Sequence, residues 1–261
     1  MEHITSRNNR WIKYAIQLKQ KKWRDREGCF LLEGTRIVED ALNQEIKDCI
    51  CFVEENSLSL KRINELAERG RLIHWFFLQV NHELMNLISG TEHGQGILLI
   101  CHKKAHKQEE LLKPLQGHYV VLDSVQDPGN MGTILRTATA AGVKGILLTE
   151  GCTDLYAEKV VRSSMGGILR IPIYEKISLS FLKEMKEKCG IPFLGTALHQ
   201  AIPYKSVGPV KDGVFIFGNE GNGICKEILS MTDKNLYIPL SEQVESLNVS
   251  IAVAVILFHF I

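Results

Sequence analysis

Net charge is almost absent: 31 Lys and Arg stand against 30 Asp and Glu, leaving a formal charge of +1 over 261 residues. That balance excludes a chain whose whole surface is built for a polyanion. The seven cysteines (Cys29, Cys49, Cys51, Cys101, Cys152, Cys189 and Cys225) are odd in number and contain no C-x-x-C pair. Neither a disulfide framework nor a zinc site follows, and no metal is expected. Buried reduced thiols are the expectation instead, with Cys49 and Cys51 on one face of a strand-like run. The start, M-E-H-I-T-S-R-N-N-R, lacks an apolar signal core, and the apolar runs elsewhere are too short to span a bilayer. A cytoplasmic chain with no membrane partner is expected. Low-complexity tracts are missing too, while a hydrophobic fraction of 45% is ample for a core.

Charge of one sign is missing locally. Residues 235–261 carry Glu242 and Glu245 but no Lys or Arg, whereas residues 1–30 hold eight Lys and Arg against three acids. The asymmetry suits a front end that faces a polyanion and a back end that is buried, although a solvated basic helix would look the same.

Along the chain, strand and helix patterns alternate. Ser6-Arg7-Asn8-Asn9 leads into a basic helix over roughly 8–23, with Trp11, Ile12, Ala15, Ile16 and Leu18 as its apolar stripe. Strands are predicted over 29–33, 46–53, 72–78 and 96–101, and helices over 35–42, 58–70 and 81–89, which makes a small α/β layer domain. Its Gly34-Thr35-Arg36 loop puts an arginine at a helix start, a ready contact for a phosphate. A polar, basic stretch follows, and the domains are drawn as 1–103, a linker at 104–117, and 118–261.

The second domain opens on the strand Tyr119–Asp123, then Asp127-Pro128-Gly129-Asn130, with Asn130 as helix N-cap, a helix over 131–141 and a stop at Gly142. Strand and helix patterns repeat to the end, where a last helix runs through 251–260. About six parallel strands covered on both faces is the economical arrangement.

Three stretches carry the chemistry. In V-F-I-F-G-N-E-G-N-G-I, residues 214–224, a buried strand runs into a loop with three glycines, Gly218, Gly221 and Gly223, that can take positive φ and leave bare backbone for a ligand. Between them stand Asn219, Glu220 and Asn222. Arg136 lies six residues past Asn130 on an alanine-rich helix, where it is either an ordinary surface residue or a functional one. In I-P-L-S-E-Q-V-E-S-L-N-V-S, residues 238–250, Ser246 and Asn248 open the final helix and by themselves could be plain caps.

Taken together, these stretches resemble the three motifs of the SpoU-type (TrmH-like) branch of the SPOUT RNA methyltransferases: D-x-x-x-D-P-G-N-M-G-T-I-L-R-T-A at 123–138, F-G-N-E-G-N-G-I at 217–224, and I-P-L through E-S-L-N-V-S-I-A at 238–252. R-S-S-M-G-G at 162–167 is similar as well, and residues 1–101 more loosely resemble the N-terminal RNA-binding domain of ribosomal-RNA members. The resemblance implies a 2′-O-ribose methyltransferase that uses S-adenosyl-L-methionine. It implies an α/β fold with a mostly parallel six-stranded sheet, a C-terminal deep trefoil knot, and a homodimer built on the final helix and the knot. Thr196, Gly218, Ile238, Leu240 and Leu247 are then expected at the cofactor. Arg136 matches the catalytic arginine, with Asn130 and Glu220 expected to orient it and the ribose, and Ser246 and Asn248 to shape the pocket. Arg7, Arg10 and Arg36 are expected to contact RNA.

A guanidinium, essentially always protonated in proteins, makes a poor general base, so Arg136 is read as a clamp on the adjacent phosphate. Ribosomal RNA is favoured as substrate over transfer RNA, and a catalytically silent RNA-binding relative stays as a rival. A dinucleotide-dependent oxidoreductase does not: D-P-G-N-M-G stands where G-x-G-x-x-G would be needed.

Overall fold

The computed structural model describes residues 1–91, 94–198 and 200–261. The chain forms two compact units, one of residues Met1–Lys104 with Tyr156–Leu169, the other of Ala105–Leu155 with Arg170–Ile261. No described helix is long and apolar enough to cross a membrane.

The first unit runs β1 (Glu2–Ile4), α1 (Arg10–Leu18), α2 (Lys21–Glu27), β2 (Cys29–Glu33), α3 (Thr35–Asn43), β3 (Ile50–Glu54), α4 (Lys61–Leu72), β4 (Phe76–Val80), α5 (His82–Ile88) and β5 (Ile97–His102). Its sheet has the order β1-β4-β3-β5-β2, with β1, β4 and β3 parallel and β5 antiparallel to both neighbours. Ile12, Ala15 and Leu18 of α1 drop onto Phe52, Leu78, Leu98 and Ile100 of the sheet, as the apolar stripe requires. Strand β1 had no sequence signal; it is a three-residue edge held by pairing with β4.

The basic stretch is two helices rather than one. Gln20 is extended (φ −96, ψ 134), and the Arg24 side chain, only 5% exposed, turns back so that its Nη1 donates to the carbonyls of Leu18 and Lys19, both at 2.7 Å. A cation on the last carbonyls of α1 satisfies groups a helix end leaves open and complements its dipole.

All seven cysteines are free, as expected, though Cys152 and Cys225 are only half-buried. Cys49, just before β3, and Cys101 of β5 meet with their sulfurs 3.4 Å apart. Burial pushes the Cys101 thiol well up.

The second unit begins with β6 (His118–Leu122), α6 (Pro128–Ala140) and β7 (Gly145–Thr149). Next come α7 (Glu158–Ser163) and α8 (Gly167–Arg170), most of which group with the first unit; the Tyr156 ring there sits 4.7 Å from that of Phe30. The chain continues through β8 (Ile173–Ile177), α9 (Leu179–Lys188), β9 (Phe193–Thr196), β10 (Ile202–Pro203), β11 (Gly213–Phe217), α10 (Lys226–Leu229), β12 (Lys234–Tyr237) and α11 (Val249–Phe260). These strands make one sheet in the order β10-β12-β9-β11-β6-β7-β8, parallel throughout. It has seven strands, not the expected six; the extra one is the two-residue edge β10, too short, and with a proline as one of its two residues, for a pattern to reveal it.

The register aligns Phe217 with Leu122, Ile216 with Gly195, and Thr196 with Leu236. The carboxyl ends of β6, β11, β9 and β12 therefore lie along one edge, where open parallel sheets present their ligand-binding loops. Helix α11 packs against α6.

The Arg24 clasp makes a measurable claim. Arg24→Met should lower the stability of the first unit by about 2–3 kcal/mol, the scale of removing a charged donor from carbonyls it keeps from water. Trp11, Trp23 and Trp75 all lie in this unit, so intrinsic fluorescence in a urea titration reads it selectively. An unchanged midpoint would leave the helix break to local backbone preference.

Candidate active site at the carboxyl edge of the second sheet

The site is assembled around Asp123, the first residue after β6. Its carboxylate is 6% exposed; Oδ1 accepts from Thr149 Oγ1 at 3.0 Å and Ser124 Oγ at 3.3 Å, and Oδ2 accepts the Cys225 N–H at 2.8 Å. One buried anion thus ties the ends of β6 and β7 to the turn after β11. Asn219 adds a second tie: its Nδ2 donates to the Ser124 carbonyl at 2.9 Å, while its Oδ1 accepts the N–H groups of Gly221 and Asn222.

The turn itself is a tight hairpin in which the backbones of Asn219 and Gly223 exchange hydrogen bonds at 2.9 Å. The three glycines are not equivalent. Gly223 has φ +68, the left-handed region that favours glycine. Gly218 has ordinary φ but no room, since a Cβ there would lie 2.0 Å from the Gly223 carbonyl carbon. Gly221 meets neither requirement: a Cβ would make only an ordinary contact with Asn219 Oδ1 at 3.6 Å. The helix expected from Gly223 starts at Lys226, because this hairpin occupies the residues before it.

Held in this way, Glu220 meets the start of α6. Its Oε1 accepts from Asn130 Nδ2 at 2.9 Å and from the Asp127 N–H at 3.3 Å, and its Oε2 accepts the Gln126 N–H at 3.4 Å. Asn130 is not the N-cap of α6, as the sequence reading had it. Asp127 is, its side chain accepting the Asn130 N–H at 2.8 Å, with Pro128 as the first helical residue. Relieved of capping, the Asn130 amide reaches outward. Its Oδ1 accepts from Asn248 Nδ2 at 2.8 Å, and Asn248, the N-cap of α11, closes the group. Residues 130, 220 and 248 thus meet from three separate stretches.

Partial burial works to raise the Glu220 pKa, but the bonds from the Asn130 amide, its own N–H and the N–H groups of Gln126 and Asp127 outweigh it, and the carboxyl lies below its ordinary range.

Arg136 is exposed on α6 and has no hydrogen-bond or ion-pair partner among the described residues. Asn130 and Glu220, expected to orient it, bond each other instead. Thr196 ends β9 half-buried, its hydroxyl donating to the Ile216 carbonyl at 3.1 Å. Ile238, Leu240 and Leu247 are half-buried and Ser246 is exposed, all on the stretch that leads from β12 to Asn248, and Gly218 is buried at the root of the hairpin. Sequence reasoning missed Asp123 and Asn219 as ties. Their acceptors and donors lie about a hundred residues away in sequence, so no local pattern marks them.

In the first unit, Arg7 pairs with Glu83, Arg10 lies 4.5 Å over the Trp11 ring, and Arg36 is exposed. The start of α3, read as an anion position, is filled from within: Gln95 Oε1 accepts from the Thr35 N–H at 2.7 Å and from its hydroxyl at 2.9 Å.

The model of the SpoU rRNA Methylase family matches residues 117–258, and that of the MRM3-like substrate binding domain matches residues 9–99. Over 99% of both chains, this one is 35% identical to 23S rRNA (guanosine(2553)-2'-O)-methyltransferase RlmP of Bacillus subtilis (strain 168). It is 26% identical to rRNA methyltransferase 3A, mitochondrial, of Danio rerio, over 99% of this chain and 69% of that one. The crystal structure of an AdoMet-bound rRNA methyltransferase from Sinorhizobium meliloti is similar with a TM-score of 0.87 at 30% identity, covering 98% of this chain and 96% of that chain.

A carboxyl held below its unfolded pKa contributes stability that is present above the unfolded value, about 4.3 for Glu, and is lost as pH falls through the folded value. Glu220→Gln should therefore melt below the wild type at neutral pH, with the gap closing as the pH is lowered through the carboxylate range. Thermal melts across that range check it, and a gap that is constant into acid would show that the ionised carboxylate is not what the three stretches share.

Proposed function

Because the chain belongs to the SpoU rRNA Methylase family, we propose that it is an S-adenosyl-L-methionine-dependent RNA 2′-O-ribose methyltransferase that acts on ribosomal RNA in the cytoplasm. The observation that carries the reading is the bonded group Asn130–Glu220–Asn248, which joins the three motif stretches at one sheet edge. The substrate choice rests on the relatives' names and on the match of residues 9–99 to a substrate-binding domain. On this reading residues 1–103 bind RNA, with Arg7, Arg10 and Arg36 as contacts.

The residues fit the cofactor. The missing Cβ of Gly218 lets the Gly223 backbone close the hairpin, and Thr196, Ile238, Leu240 and Leu247, each half-buried with surface left exposed, are the residues that would supply apolar and backbone contacts to the cofactor. S-adenosyl-L-methionine supplies a methyl group already activated on a sulfonium, so alignment and proton removal are left to the protein. A deep trefoil knot in the last third of the chain is part of the proposal; it would draw the loops after β11 and β12 around one ligand.

Arg136 is uncommitted among the described residues, which suits a bidentate clamp on the phosphate beside the reacting ribose. So placed, it holds the 2′ oxygen in line and favours loss of its proton to water. Asn130 and Asn248 donate to ribose oxygens, Glu220 fixes Asn130, and Ser246 stands where the RNA enters.

The enzyme works as a homodimer. Helix α11 leaves Ile251, Phe258 and Ile261 half or more exposed (50%, 58% and 53%), a spacing that places them along one side of an otherwise apolar helix.

Incubation with radiolabelled S-adenosyl-L-methionine and total RNA from a strain lacking the gene should place label in large ribosomal RNA, at one site resistant to alkaline cleavage. Label in transfer RNA would overturn the substrate, and no transfer despite cofactor binding would overturn the enzyme. Arg136→Lys should fold normally yet lose about tenfold to a hundredfold in kcat, the scale of one charge-assisted bidentate contact; near-wild-type turnover would reject the clamp. Phe258→Asp should shift the sedimenting species from dimer to monomer, and a monomeric wild type would remove the basis for reading α11 as an interface.

A further inference from the structure

The hydrogen bonds that join the site run in one direction, and both ends of the run are fixed by groups with a single role. At one end the Ser250 backbone N–H, which can only donate, reaches Asn248 Oδ1 at 2.9 Å, and Ser250 Oγ donates to the same oxygen at 2.6 Å. Asn248 is thereby left to donate from Nδ2 to Asn130 Oδ1 at 2.8 Å, and Asn130 to donate from its own Nδ2 to Glu220 Oε1 at 2.9 Å. At the far end an ionised carboxylate can only accept. Turning either amide over would set oxygen against oxygen at one side and N–H against N–H at the other.

We infer that Ser250 is a positioning residue: its backbone N–H sets the direction in which both asparagine amides point, and its hydroxyl, a second donor to Asn248 Oδ1, holds that amide in place so that an N–H is delivered to Glu220. Ser250 is 5% exposed, in the first turn of α11, and acts through Asn248 rather than on a ligand. The backbone N–H alone is an ordinary helix cap. The hydroxyl is the second, shorter bond; able to accept as well as donate, it adds hold on Asn248 where the backbone N–H gives direction. With this direction set, each amide keeps one N–H that no described residue uses, so the pair offers donors to the oxygens of a ribose or phosphate. The inference rests on the reading of this edge as the methyl-transfer centre and deepens it.

Ser250→Ala removes the hydroxyl and leaves the backbone cap. Three readouts follow: the carbon-13 titration of the Glu220 carboxyl in the full chain without cofactor or RNA, the pH profile of kcat, and the thermal midpoint. The expected result is a Glu220 titration that moves up toward the ordinary carboxylate range and an acid limb of kcat that moves up with it. At the optimum kcat falls by about tenfold, the worth of one bond of this kind, while KM for the cofactor holds. Ser250→Thr keeps the hydroxyl and should track the wild type. The other titratable groups on the pieces around Glu220 include Cys225, Lys226 and Glu227 after its hairpin, Asp123 and Asp127 before α6, Arg136 on it, and Glu242 and Glu245 on the stretch before α11. Both substitutions leave them in place, so their field is common to the three proteins. If Ser250→Ala melts lower while its Glu220 titration and acid limb coincide with those of the wild type, Ser250 only packs and the inference is wrong. It is equally wrong if Ser250→Thr behaves as Ser250→Ala. The titration arm needs no turnover, so a wild type that methylates no RNA would sink the functional reading and leave the relay to be judged separately.

Discussion

A buried carboxylate holds the working edge of this protein in place. Asp123 sits almost out of water at the end of a central strand, a position that penalises a charge unless it is fully hydrogen-bonded. Its partners come from β6, β7 and the turn after β11, so satisfying the charge and assembling the edge are one event. No partner could be withdrawn without leaving part of a buried anion unsolvated. Asn219, tied to the carbonyl of Ser124 next door, repeats the constraint on the other side of the hairpin. Glu220 then has little freedom in where it stands, and the start of α6 lies within its reach.

Much of this was legible in the sequence because it is local. The runs Val120–Leu122 and Val214–Phe217 read as buried parallel strands and are, and Asn248 sits at the head of the last helix as its position suggested. The three motif stretches do meet. Failures came wherever a distant partner or a second local choice decided. The basic helix breaks at Gln20, where the Arg24 side chain folds back on the carbonyls of Leu18 and Lys19, a side-chain event no periodicity records. Strand β1 exists because β4 offers it an edge. At the start of α6 two good caps stood three residues apart, and the signal that chooses Asp127 was present: the proline that follows it belongs at the first helical position.

The glycines make the same point about kinds of information. All three in the hairpin permit positive φ, but the structure uses that freedom only at Gly223, while at Gly218 it uses the missing Cβ. The first is a property of one residue's backbone. The second depends on how closely another strand of the turn approaches, which a sequence states only as a glycine.

At the site, the proposed chemistry and the fold draw on the same atoms. Asn248 Oδ1 begins α11 by capping it, and the nitrogen of the same amide enters the Asn130–Glu220 pair. Asp127 caps α6 through the N–H of Asn130 and offers its own N–H to Glu220. A residue with two such tasks cannot be optimised for either alone, and substitutions there change helix ends and site geometry together. Arg136 is the exception: exposed, on the outside of α6, and bonded to no described residue. It can be exchanged without unsatisfying a bond to any described residue, which makes it the position where the proposed function is tested with least disturbance of structure.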